Sequence, residues 1–396
     1  MNKEAFLRWI ITVLIPIVVL YSNGNLQITW AMPKEEVETV RIGANLELTG
    51  SVAPFGHSAL KGMQLAVREA NAEGGIFGKQ IQLVERDNQS QSLYAQETMR
   101  QLIVDEKVMA VLGCAASSNT IAAVNWMEGT SNQVPVITPT GTNPRVTVRT
   151  DGRVRDFVFR ACFIDPYQGN IMANFVINSL GIKRVAILTD NSSNYSKALT
   201  GTFMEQLAKN GGSVVGIQYY LQKDMDFYGI LEQVIKEDPD AIYVPGYYEE
   251  VGRIVRQARA MGYQKPMLGG DGWDSPQIVN IAGTDNLENT FFVNHYSSSD
   301  PNLRVDKFVE EYRKSYREEP NALAALGYDA AKLLIDAMRR SQEITLENVR
   351  VALEKTNNED FVTGRIYYNR YHDPIKSAVV IRFINGQQVF KERINP

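Results

Sequence analysis

Between Val108 and Pro144 the chain reads VMAVLGCAASSNTIAAVNWMEGTSNQVPVITPTGTNP, in which two apolar runs each stop at a turn rich in hydroxyls. Ser117 and Ser118 follow the first run, and Thr140 and Thr142 follow the second. Four hydroxyls beside free backbone N–H groups can hold a small carboxylate, because an oxyanion accepts several hydrogen bonds at once. The opposite chemistry stands later, in Gly269-Gly270-Asp271-Gly272-Trp273, where an acid between glycines offers a cation a partner. Tyr195, Tyr247, Tyr248 and Trp273 add aromatic faces that attract a cation and cover apolar groups. Each feature also has a plainer reading. The two serines serve equally as helix caps, Asp271 as a turn former, and Trp273 as packing at a hinge.

Catalytic chemistry finds no comparable constellation. His57, His295 and His372 are scattered, with no metal-ligand spacing to cysteines or acids, so neither a metal nor another cofactor is expected. Cys114 precedes a helix start, where a thiol can be activated, but no histidine is placed in sequence to serve it. Binding is therefore the expected activity, and an enzyme is not.

The elements that must position these residues follow from periodicity. Val108–Leu112 and Val134–Thr138 read as strands, and Ile121, Val124 and Met127 mark the helix between them, with Ser117, Ser118 or Asn119 as its cap. Upstream, a strand over Val40–Leu46 ends in Glu47-Leu48-Thr49-Gly50, and a loop carrying Phe55 opens a helix striped by Leu60, Met63 and Val67. A strand over Ile81–Glu85 and a helix bearing Met99, Leu102 and Ile103 complete a strand-helix alternation, the pattern of a parallel sheet covered on both faces. FVFRACFID, residues 157–165, reads as an extended connection with Asp165 as a hinge hydrogen-bonder, and the alternation then starts afresh. Strands Arg184–Leu188, Ser213–Tyr219, Ala241–Val244 and Pro266–Leu268 follow, with polar or aromatic residues at their ends. The last segment holds two amphipathic helices and a hairpin turning at Asn385-Gly386. The fold class is α/β, two Rossmann-like lobes with parallel sheets and the ligand crevice at the strands' carboxyl ends.

At 396 residues, 44% hydrophobic and 22% charged, the chain suffices for two cores. A net charge of −4 without a long basic run argues against nucleic acid as partner. Lys3 and Arg8 precede an apolar run from Trp9 to Tyr21 that leads to Thr29-Trp30-Ala31, so residues 1–31 read as a secretory signal cleaved after Ala31. The apolar run is short for an uncleaved anchor. Cys114 and Cys162 are the only cysteines, either one disulfide or two buried thiols, and neither lies where lipid would attach.

Seven segments in order make the chain similar to a known family: LTGSVAPFG (48–56), NAEGGIFGK (71–79), VLGCAASSNT (111–120), ITPTGTNP (137–144), DPYQG (165–169), GYYEEVGRIVRQARAMG (246–262) and GGDGWDSP (269–276). From Arg41 to about Ile394 it resembles a type I periplasmic solute-binding protein of an ABC importer, in the branch that binds leucine, isoleucine and valine. The resemblance implies two lobes, 40–163 with 296–368 and 165–293 with 376–396, joined by three crossovers. It implies that Ser117, Thr140 and Thr142 hold an amino acid's carboxylate, and that Asp271 with Tyr247 or, preferably, Tyr248 holds its ammonium. Phe55 falls where the family sets an aromatic against the ligand, and Tyr195 where it has a cleft tyrosine. Asp271 is shorter than the glutamate of the leucine-type protein, and the family's early disulfide is missing, since no cysteine lies between Gly50 and Gly113. The implied partners are a small amino-acid-like ligand and an inner-membrane permease, for a monomer in the periplasm. Alternatives are a ligand-sensing module on the same fold, or a binder of aromatic acids, amides or other small carboxylates.

Overall fold

The structure is a computed structural model that describes residues 17–22, 25–30, 39–300, 302–357 and 359–395. At the amino end β1 (Ile17–Ser22) and β2 (Asn25–Trp30) pair antiparallel, Ile17 opposite Trp30 and Ser22 opposite Asn25. The charged start of the expected signal and its cleavage point at Ala31 lie outside the described residues.

From Val40 onward two sheets are built from the same rule. The first holds β3 (Val40–Leu46), β4 (Ile81–Asp87), β5 (Ala110–Gly113), β6 (Val136–Thr138) and β7 (Val158–Arg160), all parallel, in the order β4-β3-β5-β6-β7. The inner strands are buried almost through their length, as a sheet covered on both faces requires, while the edge strand β4 exposes Gln82 and Glu85. Between them run α1 (Ala53–Ala72), α2 (Ser92–Arg100) and α3 (Ser117–Glu128).

The second sheet repeats the order. After α4 (Asp165–Asn178) come β8 (Arg184–Asp190), α5 (Asn194–Lys209), β9 (Ser213–Tyr220), α6 (Tyr228–Lys236), β10 (Ala241–Tyr243), α7 (Tyr248–Ala260), β11 (Met267–Gly269), α8 (Gln277–Ala282) and β12 (Thr290–Asn294). The parallel strands lie β9-β8-β10-β11-β12, the same doubly wound arrangement as the first sheet. In both, the order reverses between the first strand and the third, β3 beside β5 and β8 beside β10, and crevices open at such switch points.

The sequence expects FVFRACFID to be one extended connection, but its start pairs as β7 and Asp165 already begins α4, with Pro166 in the first turn where its missing N–H costs nothing. After β12 the chain returns to the first sheet's side as α9 (Leu303–Tyr316), α10 (Ala322–Arg340) and α11 (Leu346–Glu354), followed by the short pair β13 (Glu359–Phe361) and β14 (Gly364–Ile366). α10 shares a core with α1: Ala59, Met63 and Ala66 pack with Leu326, Ala330 and Leu334. Their backbones touch at two glycines. A Cβ on Gly62 would stand 2.0 Å from the Ala324 carbonyl oxygen, and one on Gly327 2.2 Å from that of Ala59. A third passage leads to β15 (Ala378–Ile384) and β16 (Gln387–Ile394), antiparallel additions to the second sheet. Their turn, Asn385 and Gly386, has positive φ at both residues (49° and 73°), the hairpin geometry that Asn-Gly favours. The chain thus passes three times between the sheets, after β7, after β12 and before β15.

Candidate ligand-binding site

The α3 start does not use its serines as caps. Ala116 precedes the helix with extended backbone and no side-chain capping bond. Glu47, just past β3, instead holds the two residues that lead into the helix. Its carboxylate accepts from the Ala115 and Ala116 N–H groups at 2.9 and 3.1 Å and from Asn119 Nδ2 at 2.9 Å. Full burial pushes the Glu47 carboxyl above its ordinary range, and these donors pull the other way.

The four hydroxyls consequently differ in what they can still do. Ser117 Oγ accepts from the Asn143 N–H at 3.2 Å and keeps its own hydrogen for an acceptor in the cleft. Thr140 spends its hydrogen on the Ala115 carbonyl at 2.8 Å and offers lone pairs instead. Ser118 Oγ accepts from the Asn194 N–H at 3.3 Å, a bond between the two sheets' ends. Thr142 is fully buried and faces the Asp165 carboxyl, although neither group reaches a hydrogen-bond partner at normal distance. Asp165 is therefore a buried acid under the site, its pKa pushed well up by desolvation, and its side chain makes no hinge hydrogen bond of the expected kind. The turn carrying Thr140 and Thr142 is fastened by Arg160, fully buried, which donates to the Gly141 and Asn143 carbonyls at 2.6 and 3.0 Å and pairs with Asp373 at 2.8 Å.

On the facing wall Asp271 opens a short 3₁₀ turn after β11. Its Oδ1 accepts from Gln168 Nε2 at 3.0 Å, and its Oδ2 lies 2.9 Å from His295 Nε2. Tyr195 OH accepts from the Gly272 N–H at 3.1 Å, and its ring stacks on Tyr247, centroids 5.2 Å apart. Phe55 reaches from the first sheet's side to meet the Tyr247 ring edge-on at 5.5 Å.

One cleft joins the two walls. Of the residues expected from sequence, Phe55, Ser117, Thr140, Tyr195, Tyr247 and Asp271 line it. Ser118, Thr142, Tyr248 and Trp273 do not. Tyr248 donates its hydroxyl hydrogen to the Ser51 carbonyl at 3.2 Å, and Trp273 is fully buried with its indole N–H on the Val244 carbonyl at 2.9 Å. Ala115 and Gly272 complete the two turns, and the rest of the lining, Asn294, His295, Ala322, Leu323 and Leu326, is not marked as a site by the sequence. His295 had a usable signal, since it follows a parallel strand adjacent to the one that leads to Asp271. Leu323 and Leu326 had none, because a crossover brings α10 to the cleft.

Chemically this is a receptor with one wall carrying hydroxyls, of which Ser117 can donate and Thr140 accept, one acidic wall and an apolar end. Among the described residues no cluster of histidine, cysteine and acid can hold a metal ion. Cys114 and Cys162 are free, buried thiols, the latter pushed up to about 12 by burial, the opposite of an activated nucleophile.

Two doubly wound sheets with a polar cleft at their facing carboxyl ends, joined by three passages, define a two-lobed solute-binding protein. The chain belongs to the periplasmic binding protein family, whose model matches residues 39–388. It is similar to a leucine-specific-binding protein of Salmonella typhimurium, 27% identical over 341 residues, 86% of this chain and 88% of that one. Among solved structures it is similar to a leucine-binding protein of Thermotoga maritima, 37% identical with a TM-score of 0.85, covering 90% of this chain and 99% of that one. A branched-chain amino acid transporter substrate-binding protein of Streptococcus pneumoniae, in complex with isoleucine, is 36% identical with a TM-score of 0.84, covering 91% of this chain and 100% of that one.

Proposed function

We propose that this protein captures an aliphatic α-amino acid in the cleft and presents it, outside the cytoplasm, to the permease of an ABC importer. The observation that carries the reading is that Ser117 and Asp271, a free hydroxyl donor and an acid, line one cleft from opposite walls. A zwitterion matches both. Its carboxylate takes the Ser117 O–H and the N–H groups of the first α3 turn that Glu47 leaves open, and its ammonium takes Asp271 and the Thr140 lone pairs. Its side chain lies against Phe55, Leu323 and Leu326, apolar surface without hydrogen-bonding demand. Leucine-type relatives support the ligand class, as the isoleucine complex does for its own protein. The basic-then-apolar amino end supports export by a cleaved leader.

Calorimetric titration of ligand-stripped protein with L-leucine, L-isoleucine and L-valine tests this. At least one is expected to bind, and Asp271→Asn is expected to weaken it about 100-fold, the scale for one partner of a desolvated charge pair. Binding of benzoate or another carboxylate alone would keep the Ser117 wall and remove the ammonium role of Asp271.

A further inference from the structure

The acidic wall contains a histidine whose surroundings are built around one bond. His295 directly follows β12, lines the cleft and is 3% exposed. Its ring lies on Phe163, centroids 3.5 Å apart. Nε2 meets Asp271 Oδ2 at 2.9 Å, while Gln168 takes the other carboxylate oxygen and receives the Asp271 backbone N–H at 2.7 Å. A carboxylate only accepts, so Nε2 carries the hydrogen, and Nδ1 is left without a protein partner. Burial pushes the ring below its ordinary pKa and Lys376 acts the same way, against the opposing pull of Asp271. The imidazole is thus a neutral donor. It orients the carboxylate without cancelling its charge, whereas an imidazolium would compete with the ligand's ammonium for it.

We propose that His295 is a positioning residue for ammonium recognition: its Nε2–H, together with the Gln168 amide, fixes the Asp271 carboxylate so that its remaining lone pairs serve the ligand. This rests on the ligand being an α-amino acid.

Two variants separate this role from packing. His295→Phe keeps a ring on Phe163 and removes the donor; His295→Gln removes the ring and carries an amide nitrogen at similar reach. Each is titrated with L-leucine and with 4-methylpentanoate, the same skeleton without the amine. His295→Phe is expected to lose about tenfold in leucine affinity, one charge-assisted bond, with 4-methylpentanoate unchanged, and His295→Gln to recover most of the loss. Wild-type leucine affinity in His295→Phe overturns the proposal, as does an equal loss for both ligands, which marks a packing role. If His295→Phe does not fold, His295→Gln decides: retained preference for leucine supports the role, and lost preference overturns it. Wild-type protein that binds leucine no better than 4-methylpentanoate overturns the amino-acid reading itself, since His295 then has no ammonium to serve.

Discussion

Glu47 shows what a single residue contributes that sequence conceals. A hydroxyl pair before an apolar stripe reads as a cap plus an anion site, and the sequence accordingly places Ser117 near a ligand, yet no side chain caps the helix and the turn leading into it is held by an acid 68 residues before Ala115. No local pattern encodes so distant a bond, just as none encodes Arg160 on the Gly141 carbonyl. Ser117, Thr140 and Asp271 were legible because turn chemistry and strand ends are local. Glu47→Gln replaces an acceptor facing two N–H groups by an amide, and a cost of about 1–2 kcal/mol is expected at pH 7.5. The pH dependence has a definite sign. The native carboxyl is held above the ordinary 4.5, so it takes its proton while the unfolded chain is still ionised. That stabilisation is fully present below pH 4.5 and is lost as pH rises through the native value. Denaturant unfolding is therefore expected to show the wild type gaining on Glu47→Gln between pH 7.5 and 4.5. A constant difference would mean that the donors, not desolvation, set the carboxyl's protonation.

At the scale of elements, alternation of strand and helix, with apolar runs stopping at polar turns, made both parallel sheets and the closing Asn-Gly hairpin legible. What stayed hidden was contact between distant elements. α1 and α10 both show clear apolar stripes, but nothing in either stripe says that they pack together with Gly62 and Gly327 at backbone contact. The same contact sets α10 so that Leu323 and Leu326 close the apolar end of the cleft. Gly327→Val puts a branched side chain against the Ala59 carbonyl, and the helices must part to admit it. A stability loss of about 3 kcal/mol is expected by denaturant unfolding, at the upper end for overpacked cores. Weaker binding of apolar ligands should accompany it as Leu323 shifts. An unchanged midpoint would show that the helix pair yields without strain, and would remove the argument that these glycines fix the cleft's end.

For the whole molecule the decisive bonds are those that join the two sheets' ends without touching a ligand. Asn143 Nδ2 donates to the Asn194 carbonyl at 2.8 Å, and the Asn194 N–H donates to Ser118 at 3.3 Å. Tyr248 reaches the Ser51 carbonyl, and Phe55 packs against both Tyr247 and Tyr248. In a receptor whose lobes part to admit ligand, such contacts favour the form in which the walls meet, whatever occupies the cleft. A ligand then needs to supply only the rest of the closing free energy, and apparent affinity scales with the population of the competent state. Residues of the two kinds are distinguishable by how their loss spreads over ligands. Asn143→Ala removes one interlobe hydrogen bond, about 1 kcal/mol, and should weaken leucine, isoleucine and valine by the same factor of roughly five. Asp271→Asn should instead act on ligands according to whether they carry an ammonium. Titration of the three amino acids and their desamino analogues against both variants reads the difference directly. A ligand-dependent loss in Asn143→Ala would assign that side chain to the ligand itself and leave closure to Tyr248 and Phe55.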